Sequence, residues 1–245
     1  MRYKAKLSYD GTKYLGWQKQ PKKRTIQGEL EKAFFKISGN KKICIESSGR
    51  TDAGVHARAQ IVHFDLFKNV DIKKFQQGVN ALLDSDIRIH NITKTKKDFH
   101  SRYDILCKEY RYFIYNGSVV PPFLTLYRHH EKRVLNLEAM RQAANYLIGK
   151  HDFLTFSVNP GYALKDTVRI IHDLKIIYKG SDLIISVKGN GFLYKMVRSI
   201  SGFLIDVGLN RFSPLMAKKI LNDSKRTKVV KTASAKGLFL WSVRY

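Results

Sequence analysis

The order in which β-rich and amphipathic segments follow one another constrains this chain more than any single motif. Arg2 to Tyr9 reads as a strand, and Thr25 is placed to cap a helix whose Ile26, Leu30, Ala33, Phe34 and Ile37 line one face. Lys42 to Ser47 and Arg58 to Leu66 are β-rich. Asp71 then caps a second helix with Ile72, Phe75, Val79 and Leu82 at helical spacing, and Ile87 to Ile92 closes the set. The order recurs with longer connections. A strand spans Cys107 to Tyr115, a helix begins at Asn136 and stops at Gly149, and strands cover Val168 to Tyr178 and Leu183 to Lys188. An apolar helix follows from Phe192 to Val207, a short one from Ser213 to Leu221, and a strand from Gly237 to Arg244.

Each half therefore reads β-α-β-β-α-β, the order of the ferredoxin-like unit and of the RNA recognition motif. The pattern predicts an α+β fold of two such domains, residues 1–104 and 105–245, forming a joint mixed, largely antiparallel sheet with a basic cleft. A chain of 245 residues, 44% of them hydrophobic, has material for two modest cores. Only five prolines occur and no Gly/Ser-rich linker separates the halves, which predicts rigid packing between them. The same unit hosts many unrelated activities, so the order leaves function open.

Charge narrows it. Lys and Arg number 45 against 20 Asp and Glu, a net charge of +25, which draws polyanions and puts nucleic acid first among partners. The start MRYKAKLSYDG has no apolar signal core, and no stretch nears ~18 apolar residues, so neither export nor a membrane span is expected and the location is cytoplasmic. Cys44 and Cys107 are too few for a sulfur-rich zinc site. His56, His63 and the His129-His130 pair belong to no HExxH or Cys/His cluster, so no metal is expected. The basic runs Lys22 to Arg24, Arg128 to His130 and Lys225 to Lys231 are candidate phosphate contacts, or else solvated charged faces.

One acidic residue stands apart. Asp52 lies between Arg50 and Arg58 and is bracketed by Gly49 and Gly54, in a segment joining two strands. A carboxylate beside guanidinium stays ionised, which suits a nucleophile or electrostatic stabiliser. The alternative is an Asx-turn, with Asp52 bonded to its own backbone and Arg50 merely solvated. Arg198 lies off the helical stripe of Met196, Ile200, Phe203 and Val207 and points away from it. Tyr110 and Tyr112 share one face of a strand, and alternation does not choose between them.

The runs GRTDAGVHA, YDGTKYLGWQ at 9–18, KEYRYFIYN at 108–116, GKHDFLTF at 149–156, FLYKMVRSISG at 192–202 and KGLFL at 236–240 resemble, in order and spacing, the pseudouridine synthases of the tRNA anticodon stem-loop. The resemblance covers essentially the whole chain. It implies an isomerase acting on uridines 38, 39 and 40 of tRNA, usually as a homodimer. Isomerisation needs no redox change or group donor, so no cofactor is expected. By the matched motifs Asp52 is similar to the catalytic aspartate. Tyr110 matches the tyrosine that stacks on the flipped base, Arg198 the arginine paired with that aspartate, and Arg50 the arginine that takes the displaced base's space. Where the family commonly has Ala-Pro-Ala, this chain reads Ala233-Ser234-Ala235, and the loop from Ser157 to Lys165 does not align. The competing readings are a non-catalytic RNA-binding or RNA-folding protein on the same scaffold, and a general polyanion binder.

Overall fold

The computed structural model describes residues 1–67, 70–159, 161, 166–223, 227 and 229–245. Its elements are β1 (Arg2–Tyr9), α1 (Ile26–Ile37), β2 (Glu46–Ser47), β3 (His56–Asp65), α2 (Ile72–Leu82), β4 (Ile87–Lys94), β5 (Cys107–Tyr115), β6 (His129–His130), α3 (Leu137–Leu147), β7 (Gly149–Asp152), β8 (Val168–Lys179), β9 (Asp182–Gly189), α4 (Met196–Gly208), α5 (Met216–Asn222) and β10 (Leu238–Arg244). The fold is α+β with mostly antiparallel strand pairing, as the element order predicts. Two compact units form, Met1–Leu106 with Phe239–Tyr245, and Cys107–Leu238.

In the first unit the strands run β4-β1-β3-β10. The β1–β3 pair sets Tyr3 opposite Phe64, and Phe64 meets Phe34 of α1 edge-on at 4.9 Å and lies 6.3 Å from Phe75 of α2. Both helices thus pack on one face of the sheet, and each buried aromatic contributes about 1.5–3 kcal/mol through area removed from water. The expected caps form, Thr25 accepting from Gly28 N–H and Asp71 from Lys74 N–H, and Asn136, where a helix was expected to begin, accepts from Ala139 N–H.

The second unit orders its strands β5-β9-β8-β7, all antiparallel. Its core includes Met140 and Leu147 of α3, Leu183, Ile185 and Val187 of β9 and Phe203 of α4, all fully buried. Phe153 and Phe156, from the GKHDFLTF run, are fully buried, and Phe156 packs on Phe203 at 5.9 Å. Gly149 ends α3 with φ +114, where a side chain would be strained.

Some elements differ from their sequence reading. The strand expected from Lys42 shrinks to Glu46–Ser47. Ile43 and Ile45 are buried while Cys44 is exposed, so the alternation is that of an extended segment outside the β ladder. The helix expected from Phe192 starts at Met196, because Lys195 sits in the left-handed region at φ 57 and ends a turn. Ser213 to Leu215 likewise form a turn before α5. The last strand, β10, pairs in parallel with β3 through Phe239↔His56 and Leu240↔Ala57, so it completes the first unit's sheet.

Candidate functional site

The loop carrying Asp52 runs from β2 into β3, and its backbone is fixed from two sides. From below, a buried polar network holds residues 48, 49 and 51. Gln60 of β3 donates through Nε2 to Gly49 O at 2.8 Å and accepts at Oε1 from the Ser48 hydroxyl at 2.5 Å, while Tyr9 OH bonds Thr51 Oγ1 at 2.9 Å. Gln60 and Ser48 have no exposure, and a buried network of this kind is stable only when its members are paired, which selects one loop conformation. Burial pushes the Tyr9 phenol up, against the bonds from Thr51 and Gln60, so it stays protonated.

From the side comes the run after β1. Trp17 N–H donates to Thr51 O at 2.9 Å, Gly54 N–H to Tyr14 O at 3.3 Å, and Gly11 N–H to His56 Nδ1 at 3.0 Å. Gly16, at φ +87, lies so close that a Cβ would fall 2.6 Å from Thr51 O, and one on Gly11 would fall 2.0 Å from Val55 O. The YDGTKYLGWQ run is therefore a clamp on the aspartate loop, possible only because two of its residues have no side chain. Tyr14 is itself held by Asp86, to which its hydroxyl donates at 2.5 Å, and by Arg24 stacked over its ring at 4.4 Å.

Asp52 is half-buried, and its carbonyl accepts from Val55 N–H at 3.1 Å across a turn containing Gly54 at φ +75. The Gly54 N–H donates to Tyr14 O. Arg50 is exposed two positions earlier.

In the second unit, Tyr110 on β5 is 8% exposed and meets Phe192 edge-on at 5.3 Å. Tyr112, on the same face, is fully buried, bonds Ser234 Oγ at 3.3 Å and is pushed up to about 12 by burial. Every residue of α4 is buried except Arg198, the one that leaves the apolar stripe. Its Nε donates to Ala233 O at 2.8 Å, and Ala233 N–H returns a bond to Arg198 O at 3.0 Å. Gly202 permits this close approach, since a Cβ there would lie 2.2 Å from Lys231 O. Ser234 takes φ −57 and ψ 150, a backbone that proline adopts.

Two basic runs turn out to be partly internal. Arg24 bonds Asp84 at 2.6 Å and Asp86 at 3.1 Å, and Arg128 bonds Asp182 at 2.9 Å with its guanidinium over Phe113. Lys225, Arg226 and Lys228 lie outside the described residues, as does most of the loop from Ser157 to Lys165.

A second group of candidate metal ligands involves β2 and β3: Glu46, His63 and His100 bring one ligand atom each within 4.8 Å of one another. The tautomers oppose coordination. His63 Nδ1 accepts from Ser101 N–H and His100 Nδ1 from Arg102 N–H, which leaves the ring protons on Nε2, and His100 Nε2 gives its proton to Glu46 at 3.0 Å. A coordinating histidine does the reverse, donating from the nitrogen far from the metal.

Comparison with known proteins adds a second line of evidence. A family model described as tRNA pseudouridine synthase matches residues 5–104 and 143–245. The chain is 42% identical over 244 residues to tRNA pseudouridine synthase A of Brevibacillus brevis, covering 100% of this chain and 99% of that protein. It is 40% identical over 244 residues to the protein of that name from Oceanobacillus iheyensis, covering 100% and 96%, and 41% over 246 residues to that from Bacillus subtilis, covering 100% and 99%. A solved H/ACA RNP bound to a substrate RNA containing 2′-deoxyuridine aligns with 83% of this chain and 53% of its own, at 14% identity and a TM-score of 0.33, a likeness too slight to assign a fold. Among the described residues no helix is long and apolar enough to cross a membrane.

Proposed function

The chain belongs to the tRNA pseudouridine synthase family, and from that membership we propose how it works: Asp52 is the catalytic residue of a uridine-to-pseudouridine isomerisation at positions 38, 39 and 40 of the anticodon stem-loop. The observation that carries the reading is the Asp52 loop, a carboxylate on a strand-joining turn whose backbone is clamped by Gly11, Gly16 and Trp17 and underpinned by Gln60.

The chemistry asks for little else. Uracil N1 loses the ribose C1′ and gains a proton, while C5 gains C1′ and loses its hydrogen, so composition is unchanged and no electron acceptor enters. An ionised Asp52 serves any of three routes: addition to the base, attack at C1′, or removal of a sugar proton to give a glycal. The target atoms are inaccessible in a paired stem, so the nucleotide must leave the stack. In this reading Tyr110 stacks on the turned base, Arg50 takes the space it vacates, and Arg198 keeps the carboxylate charged and aimed. The Ala233 carbonyl, by accepting from Nε, anchors the Arg198 side chain to the strand entry after residue 232. The reading assigns residues 1–104 to a domain that carries the aspartate loop and residues 105–245 to a domain for the substrate, in a cytoplasmic homodimer.

The test is release of tritium from tRNA labelled at uracil C5, comparing the parent with Asp52→Asn, which keeps shape and removes charge. Release by the parent and none by the variant, at equal tRNA binding, is expected. Equal release from both removes Asp52 from the chemistry.

A further inference from the structure

Several arginines of this chain are held by carboxylates of the fold. Arg2, Arg24, Arg111, Arg128 and Arg133 each grip a carboxylate at 3.1 Å or less. Arg58 does not. It is exposed on β3, six positions beyond Asp52, with no carboxylate paired to it among the described residues and its guanidinium carbon over the indole of Trp241, 4.4 Å from the ring centroid. We propose that Arg58, laid on Trp241, is a contact for a backbone phosphodiester of the RNA substrate. The proposal rests on the reading of this chain as an enzyme of tRNA.

The geometry suits that ligand. Stacking on an indole lowers the rotamer freedom of a long side chain and covers one face of the guanidinium, while its five N–H donors lie in the plane, along the edges. Those edges match two phosphate oxygens at once, a recognition that lysine does not reproduce. The platform is firm. Trp241 and Phe239 point to the same side of β10, and one register step earlier Phe239 stacks on His56 of β3 at 4.5 Å, so His56–Phe239 and Arg58–Trp241 form consecutive layers across the parallel pair. An arginine over an indole and, among the described residues, without an acid partner, on the strand that the Asp52 loop runs into, is placed to grip the strand of RNA that presents its base there.

The experiment measures equilibrium binding of an unmodified tRNA transcript by the full chain between about 50 and 200 mM salt. Arg58→Gln is expected to weaken binding roughly tenfold at the low end and to lower the slope of log K against log salt by about 0.7–0.9, the signature of one lost phosphate contact. Arg58→Lys restores the slope but only part of the affinity. Arg133→Gln, which removes the same charge from an arginine paired with Glu131, leaves the slope as it was. An unchanged slope in Arg58→Gln overturns the proposal, whether affinity is intact, making the stack mere packing, or lost equally at all salts, making the guanidinium a stacking surface for a base. Tritium release by the parent, assayed alongside, separates the two readings: tight binding without release sinks the isomerase and leaves the Arg58 result standing.

Discussion

Gly16→Ala isolates the clamp on the Asp52 loop. The added Cβ falls 2.6 Å from Thr51 O, about 0.8 Å inside the 3.4 Å at which ordinary contact begins, and the neighbour is backbone that is also bonded to Trp17 N–H. Two costs follow: about 1–2 kcal/mol for a side chain in the left-handed region at φ +87, and about 0.5–1.5 kcal/mol for the strained bond. At ~2–4 °C per kcal/mol for a chain of this size, the melting midpoint drops by roughly 3–14 °C. The catalytic effect is separate. Relief of the overlap moves Thr51, and Asp52 with it, by a distance approaching the ~1 Å that costs a reaction on the order of a hundredfold. Gly39→Ala is the matched control, since Gly39 has φ +70 in the same unit but nothing within 4 Å of its Cβ position. It should lose the strain energy alone. Thermal melts and single-turnover tritium release on both variants decide the matter. Equal melting shifts with equal turnover would refute the idea that the clamp positions the aspartate.

Two further outcomes are expected. Ser234 already holds a proline-compatible backbone, so Ser234→Pro should exceed Ser234→Ala in urea-unfolding stability by about 0.4–1 kcal/mol, both having lost the bond to Tyr112; a proline variant weaker than the alanine one would mean that the Ser234 N–H is engaged. Burial, with His100 and Arg2 nearby, depresses the His63 pKa below 6.5 in the folded chain, so the unfolded chain takes up the proton first. Stability should therefore fall as pH drops through 6.5 toward the folded value and be level above it. His129 shifts the same way through burial, so His63→Gln should flatten only part of the slope between urea midpoints at pH 5 and 7.5, and an unaltered slope would exclude His63.

What the sequence disclosed follows the reach of the interactions. The caps at Thr25 and Asp71, the helix start at Asn136 and the stop at Gly149 are settled within four residues of backbone, and they were readable. Arg24 and Arg128 were not, because the acids that claim them lie 60 and 54 positions away. The partner of β10 was equally hidden, since period 2 identifies a strand without naming the edge it takes. Asp52 stood out through the glycines that frame it. Tyr9 and Gln60 read as ordinary strand residues, although the network they form with Ser48, Gly49 and Thr51 underpins the loop. The one signal available was indirect: two glycines in an aromatic run, Gly11 and Gly16, mark a place where another backbone comes close.

The parallel pairing of β10 with β3 has a consequence for how the molecule comes into being. Along its whole length β3 gives one edge to β1, and the other is shared by β2, opposite Val62 and His63, and β10, opposite His56 and Ala57. β3 ends at Asp65 and β10 begins at Leu238, so a ribosome working at ~5–20 residues per second leaves that stretch of edge uncovered for roughly 9–35 s. During that interval the nascent first unit exposes unpaired backbone next to its aspartate loop, the condition under which strands recruit foreign partners. The rate of elongation through the second unit, and the presence of chaperones that cover an open edge, should therefore govern the yield of folded protein more than the stability of the finished fold does.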